Sequence, residues 1–140
     1  MQYQLKLNKA QLDTVAEALE FFSRFCAGQW RLPDTMEYQE YKNQDKYDGF
    51  WEKRNYVEDQ LNILKSHFTG LQLNASYGIG SANLCDSAKI AYDVYRPILE
   101  LRAEEYNKAN PDEKHYSVYD HPGLQYSKEG RIKIKTLEDG

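Results

Sequence analysis

The sequence predicts a mainly helical α+β domain, with about three long helices and a small antiparallel sheet built from an N-terminal strand and a C-terminal hairpin. Three observations carry this prediction. Apolar residues recur at helical spacing in three long segments, following Asn8, Phe50 and Asp86. Short runs near both ends of the sequence alternate apolar and polar residues, the period of a half-buried strand. A loop rich in small residues, Asn74-Ala75-Ser76-Tyr77-Gly78-Ile79-Gly80-Ser81, separates the second and third helical segments. A length of 140 residues fits a single domain, 1–140.

The elements follow in order. Tyr3, Leu5 and Leu7 alternate with Gln4 and Lys6, which predicts a strand with one buried face. Asn8 and Gln11 have the spacing of a capping box. The helix they open places Leu12, Val15, Ala16, Leu19, Phe22 and Cys26 on one face, and Gly28 is its natural stop. Phe21 and Phe25 widen this stripe, as expected of a helix covered on two sides, for example by another subunit.

From Trp30 to Asp48 the periodicity weakens, which predicts a long loop or lid with a short helix over Met36 to Lys42. Phe50, Arg54, Val57, Leu61, Leu64 and Phe68 then mark the inner face of a helix that Gly70 ends. After the glycine loop, Asp86 can cap a third helix whose inner face carries Ala88, Ala91, Tyr92, Tyr95, Leu99 and Arg102. Pro97 inside that pattern predicts a kink or a second helical piece, since proline lacks an amide donor and crowds the carbonyl four residues back. The helix is expected to end by Asn110-Pro111. Leu124-Gln125-Tyr126 and Ile132-Lys133-Ile134, joined by Ser127-Lys128-Glu129-Gly130, read as a hairpin.

Composition excludes several classes. A net charge of −4 argues against a binder of long nucleic acid, which usually needs a basic face. It leaves room for a small phosphate ligand, which needs only two or three placed arginines. No apolar run approaches the roughly 20 residues of a membrane span. Residues 1–7 lack a basic region followed by an apolar stretch, so no signal peptide is expected and the predicted address is the cytoplasm. Cys26 and Cys85 are expected to be reduced, buried thiols. His67, His115 and His121 share no metal-ligand spacing with them, so no metal site is predicted. Glu104-Glu105, Asp112-Glu113 and Glu138-Asp139 sit in polar surroundings and read as solvated charge. No catalytic constellation and no cofactor are expected.

The glycine loop lacks the lysine-serine pair of a phosphate loop and follows no clear strand, so its spacing alone is a weak signal. Its context strengthens it. The loop leads to a helix N-terminus, where backbone donors favour anions. Tyr77 offers a ring face for a base, Asn74 and Ser76 offer polar groups for a base edge, and Gly78 leaves room for close approach. Arg54 and Arg102 lie on the predicted inner faces of the flanking helices, and Arg24 stands among aromatics near the end of the first helix. Together these residues would suit a nucleotide bearing a pyrophosphate. The competing reading is a plain helix–helix connector, with its glycines needed for turns, Tyr77 in the core and the arginines on the surface.

Three stretches carry a resemblance: Phe21-Phe22-Ser23-Arg24-Phe25-Cys26-Ala27-Gly28-Gln29, the Asn74 to Gly80 loop, and Ala88-Lys89-Ile90-Ala91-Tyr92-Asp93-Val94-Tyr95. Together they resemble a family of small phage and prophage proteins that includes the first-described anti-Thoeris sponges, which sequester the cyclic ADP-ribose-type signal made by bacterial TIR enzymes. The resemblance spans most of the chain. It implies tight binding of glyco-cyclic ADP-ribose without degradation, in the cytoplasm of an infected bacterial host. It also implies a homodimer, or a hexamer built as a trimer of dimers, with the site between protomers. Some members also bind cyclic trinucleotides at a separate site. By the same resemblance, Tyr77 would stack on adenine and Arg24 and Arg102 would hold the pyrophosphate. The adenine-edge contact would fall near Ser87, where this chain lacks the asparagine of the family pattern, and Pro97 is a second departure. The expected ligand-binding set is therefore Arg24, Arg54, Asn74, Tyr77, Gly78, Ser87 and Arg102. Two other functions remain open: a structural or adaptor phage protein acting through helical assembly, and a small hydrolase of the same nucleotides.

Overall fold

The computed structural model describes residues 1–44, 49–113 and 124–138. It contains four helices: α1 (Lys9–Cys26), α2 (Asp34–Asn43), α3 (Phe50–Thr69) and α4 (Asp86–Ala109). No strand occurs among the described residues, so the predicted α+β class is corrected to all-α. The chain divides into two compact units, one formed by residues 1–23 and 85–140, the other by residues 24–84.

In the first unit, α1 begins as its sequence predicts. The Gln11 amide donates to Asn8 Oδ1 at 2.9 Å and the Asn8 amide donates to Gln11 Oε1 at 3.0 Å, a reciprocal capping box. Ala16, Tyr95 and Ile98 form the buried centre, with Leu12, Val15, Leu19, Tyr92, Leu99, Ile132 and Ile134 packed around it. Most of these are the residues whose period of 3.6 marked the inner faces of α1 and α4. The Ser23 hydroxyl, buried against α4, donates to the Ala88 carbonyl at 2.9 Å.

Helix α4 is continuous over 24 residues, with Pro97 inside it. No second helical piece forms, although the missing amide deprives the Asp93 carbonyl of its helical donor. The N-cap is Cys85 rather than Asp86, and no side-chain cap bond forms there. Cys85 is exposed and Cys26 half-buried, so burial of both thiols is also corrected.

Both predicted β elements fail for lack of a partner. Tyr3 and Leu5 are 87% and 80% exposed, so the alternation at 3–7 has no face to bury. The C-terminal segment keeps its alternation without a ladder. Ile132 and Ile134 are half-buried against the helical core while Arg131, Lys133 and Lys135 stay exposed. The backbone donors that a hairpin would use are captured by a side chain instead. The buried Asp93 carboxylate accepts the Tyr126 amide at 3.0 Å, the Ser127 amide at 2.8 Å and the Ser127 hydroxyl. An ionised carboxylate accepts such bonds more strongly than a neutral carbonyl. The segment is thus a strap hooked onto α4.

In the second unit, the end of α1 turns through Gly28, whose φ is +94°. The Gln29 amide donates to the Arg24 carbonyl at 2.9 Å and the Gly28 amide to the Phe25 carbonyl at 3.1 Å, the two bonds of a Schellman cap. The predicted stop at Gly28 is therefore realised, as is that at Gly70, which caps α3 with φ +76°. Helix α2 contains the predicted Met36 to Lys42 segment and extends it at both ends. Tyr47 and the rest of the predicted lid at 45–48, like His115 and His121, lie outside the described residues. No helix among the described residues is long and apolar enough to cross a membrane.

Candidate ligand cavity

Helix α3 buries a polar stripe. Phe50 and Leu61 face inward as predicted, but Val57, Leu64 and Phe68 are exposed, Phe68 at 80%. The inner face is instead completed by Arg54, Glu58, Asn62 and Lys65, which recur every three to four residues and so share one side of the helix. Lys65 is the most deeply buried of them, only 1% exposed.

This stripe forms one wall of an open cavity of about 440 Å³ lying wholly within the second unit. The other walls are Gly28, Gln29, Trp30 and Arg31 after α1, and Asn74, Ala75 and Ser76 of the glycine loop. The volume lies in the ordinary range for small-molecule sites.

The cavity wall is held together by polar contacts. Asn62 Oδ1 accepts the Asn74 amide at 3.1 Å, and Asn62 Nδ2 donates to Asn74 Oδ1 at 3.0 Å. Asn74 has a φ of +64°, the left-handed conformation that asparagine tolerates better than most residues. Lys65 Nζ donates to the carbonyls of Gln72 and Ala75, both at 2.8 Å. The Ser66 hydroxyl donates to the Leu71 carbonyl, and the Tyr77 amide donates to the Ala27 carbonyl at 2.7 Å. The first half of the loop, Asn74 to Tyr77, is therefore tied to α3 and to Ala27 just after α1.

Trp30 supplies the aromatic part of the wall. Its ring stacks on Phe25 with centroids 4.7 Å apart and planes 6° from parallel, and Phe68 lies tilted at 6.0 Å. Its indole Nε1 donates to the Phe25 carbonyl at 3.1 Å, so the ring is fixed in orientation.

The seven sequence-predicted residues distribute unevenly. Arg54 and Asn74 line the cavity, together with Ser76. Arg54 is already engaged: its Nε lies 3.0 Å from Glu37 Oε1, its Nη2 3.7 Å from Glu58, and its Nη1 donates to Asn55 at 3.1 Å. The Nε contact is close enough for an ion pair but misaligned for a hydrogen bond, since this buried nitrogen has no hydrogen-bond partner.

Arg24, Tyr77 and Gly78 belong to the same unit but not to the cavity wall. Arg24 is exposed and its Nη1 donates to Gln29 at 3.0 Å. A Cβ at Gly78 would meet nothing within 4 Å, so a glycine is not required there for close packing.

Ser87 and Arg102 belong to the first unit. Ser87 is exposed in the first turn of α4. Arg102 Nε donates to Asp13 Oδ1 at 2.7 Å, and Nη1 donates to Glu105. Burial lowers its pKa, but the hydrogen bonds and charges of Asp13 and Glu105 outweigh this and leave it above the ordinary arginine value. That guanidinium ties α1 to α4.

Sequence reasoning passed over Trp30, Asn62 and Lys65. The available signal was the polar repeat at 54, 58, 62 and 65, which runs beside the apolar one along α3. The chain matches no protein-family model, no curated protein and no solved structure.

Proposed function

We propose that this protein binds a glyco-cyclic ADP-ribose-type immune signal and sequesters it without degrading it, as a phage counter-defence protein in the cytoplasm of an infected bacterium. The observation that carries the reading is the convergence of Arg54, Asn74 and Ser76, all singled out for nucleotide recognition, on one cavity of suitable volume beside Trp30 and Lys65. Trp30 supplies the aromatic surface for a base, the amides of Asn62 and Asn74 supply polar groups for its edge, and Arg54 and Lys65 supply positive charge for phosphate. The resemblance of the α1, glycine-loop and α4 stretches to the anti-Thoeris sponges supports the choice of ligand. Sequestration requires affinity and no bond making, which suits a wall whose polar groups are already fixed by one another.

Assembly into a homodimer or a hexamer belongs to the same proposal. Its support is the outward face of α3, where Ile63, Leu64 and Phe68 are exposed, since exposed apolar patches mark interaction surfaces. The same face favours the second reading, a structural or adaptor protein that acts only through helical assembly.

The test is incubation of the protein with glyco-cyclic ADP-ribose, removal of free ligand, and release by heat. Recovery of intact ligand supports the sponge. No retention favours the adaptor. An altered product reveals a hydrolase and overturns the sponge.

A further inference from the structure

Lys65 is buried to 1% exposure, yet among the described residues its ammonium meets only two carbonyl oxygens, those of Gln72 and Ala75. A lysine ammonium carries three donors in tetrahedral directions. Among the described residues the third has no partner, and no carboxylate forms an ion pair with Lys65. Taking an ammonium out of water costs several kcal/mol unless an opposite charge compensates it. Two neutral carbonyls provide only part of that compensation. Lys65 is one of the residues that line the cavity. Nearby, Glu58 already offsets Arg54 at 3.7 Å. With Arg31, Arg54 and Lys65 against Glu58 and Asp59, the wall carries one more positive charge than negative, in a chain whose net charge is −4.

We propose that the Lys65 ammonium is the anion-binding centre of this cavity, and that the group it takes is a phosphate oxygen of a small phosphorylated ligand. The inference rests on reading this cavity as a nucleotide site and names the atom that would recognise the phosphate. The two carbonyls aim the ammonium, and the phosphate supplies both the missing acceptor and the missing charge. Glu58 and Asp59 on the same wall are acceptors for sugar hydroxyls, so a phosphate attached to a ribose satisfies the wall better than inorganic phosphate alone.

The probes are inorganic pyrophosphate, ADP-ribose and uncharged adenosine, titrated into the full chain by calorimetry and by NMR of ¹⁵N-labelled lysine side chains. ADP-ribose and pyrophosphate are expected to shift the Lys65 Nζ resonance, with ADP-ribose binding the tighter, while adenosine leaves it in place. Lys65→Met is expected to weaken ADP-ribose binding roughly 10- to 100-fold, the range for a hydrogen bond to a charged group. The wild-type resonance decides the matter if Lys65→Met does not fold. An unmoved Nζ resonance in saturating ADP-ribose overturns the inference, as does a folded Lys65→Met protein that binds ADP-ribose as well as wild type. A moved resonance without retention of glyco-cyclic ADP-ribose supports the Lys65 site while removing the sponge reading. Retention of that signal with Nζ unmoved does the reverse.

Discussion

Asn62 on α3 and Asn74 in the glycine loop exchange two hydrogen bonds, the side chain of each answering the other and the Asn74 amide completing the pair. This clasp holds the loop in a left-handed turn at Asn74 and joins two walls of the cavity. Asn74→Ala removes the side-chain partner and places a less tolerant residue at φ +64°. It should cost about 1–2 kcal/mol, by analogy with other residues held in sparsely populated backbone regions. Asn74→Gly should cost less, because glycine accepts that φ freely. Equal urea-unfolding losses for the two variants would show that backbone strain does not matter there.

Gly28 is constrained twice. Its φ is +94°, and a Cβ would stand 3.1 Å from Leu71 Cδ1 and 3.6 Å from Lys65 Cδ. Gly28→Ala is expected to destabilise the fold by about 1–3 kcal/mol, through strain at this φ and the tight approach to Leu71. A thermal melt overlapping wild type would contradict this account.

Asp93 hooks the C-terminal strap through three accepted hydrogen bonds. Asp93→Ala should cost about 2–4 kcal/mol, since it removes a buried charged acceptor from three partly buried donors. Hydrogen exchange should then rise across 124–138 before it rises in α1. Unchanged protection at Tyr126 and Ser127 would mean that Ile132 and Ile134 hold the strap without the carboxylate.

Trp30 and Tyr77 make predictions of different size. Trp30→Ala should weaken nucleotide binding by about 1–3 kcal/mol, the usual worth of base–aromatic stacking, because Trp30 lines the cavity. Tyr77→Ala should weaken it less, as Tyr77 lies outside the cavity wall and its amide is bonded to the Ala27 carbonyl. A larger loss at Tyr77 would restore the ring predicted from sequence and move the site away from this cavity.

Arg102→Ala should lower stability by about 1 kcal/mol, in keeping with a partly exposed ion-pair network, and leave affinity for the cavity's ligand unchanged. Calorimetric titration of the folded variant with ADP-ribose checks the second half, and a clear loss of affinity would return Arg102 to the site.

The sequence by itself determined the three long helices and some of their ends. Asn8 and Gln11, Gly28 and Gly70 act through neighbours within a few residues, so capping chemistry is readable locally. It also marked the apolar faces of α1 and α4, because periodicity is a property of one segment. What only the tertiary structure decided was pairing. Strand alternation at 3–7 and 132–134 is present, but a sheet needs a second backbone, and Asp93 took the amides of Tyr126 and Ser127 instead. The cavity was half legible for the same reason. Asn74, Ser76 and Arg54 stand out by type and spacing, whereas Lys65 becomes notable only once folding buries its charge against two carbonyls distant along the helix and loop. Burial and the count of partners are set by three-dimensional packing; the polar repeat at 54, 58, 62 and 65 shows only that these residues share a face.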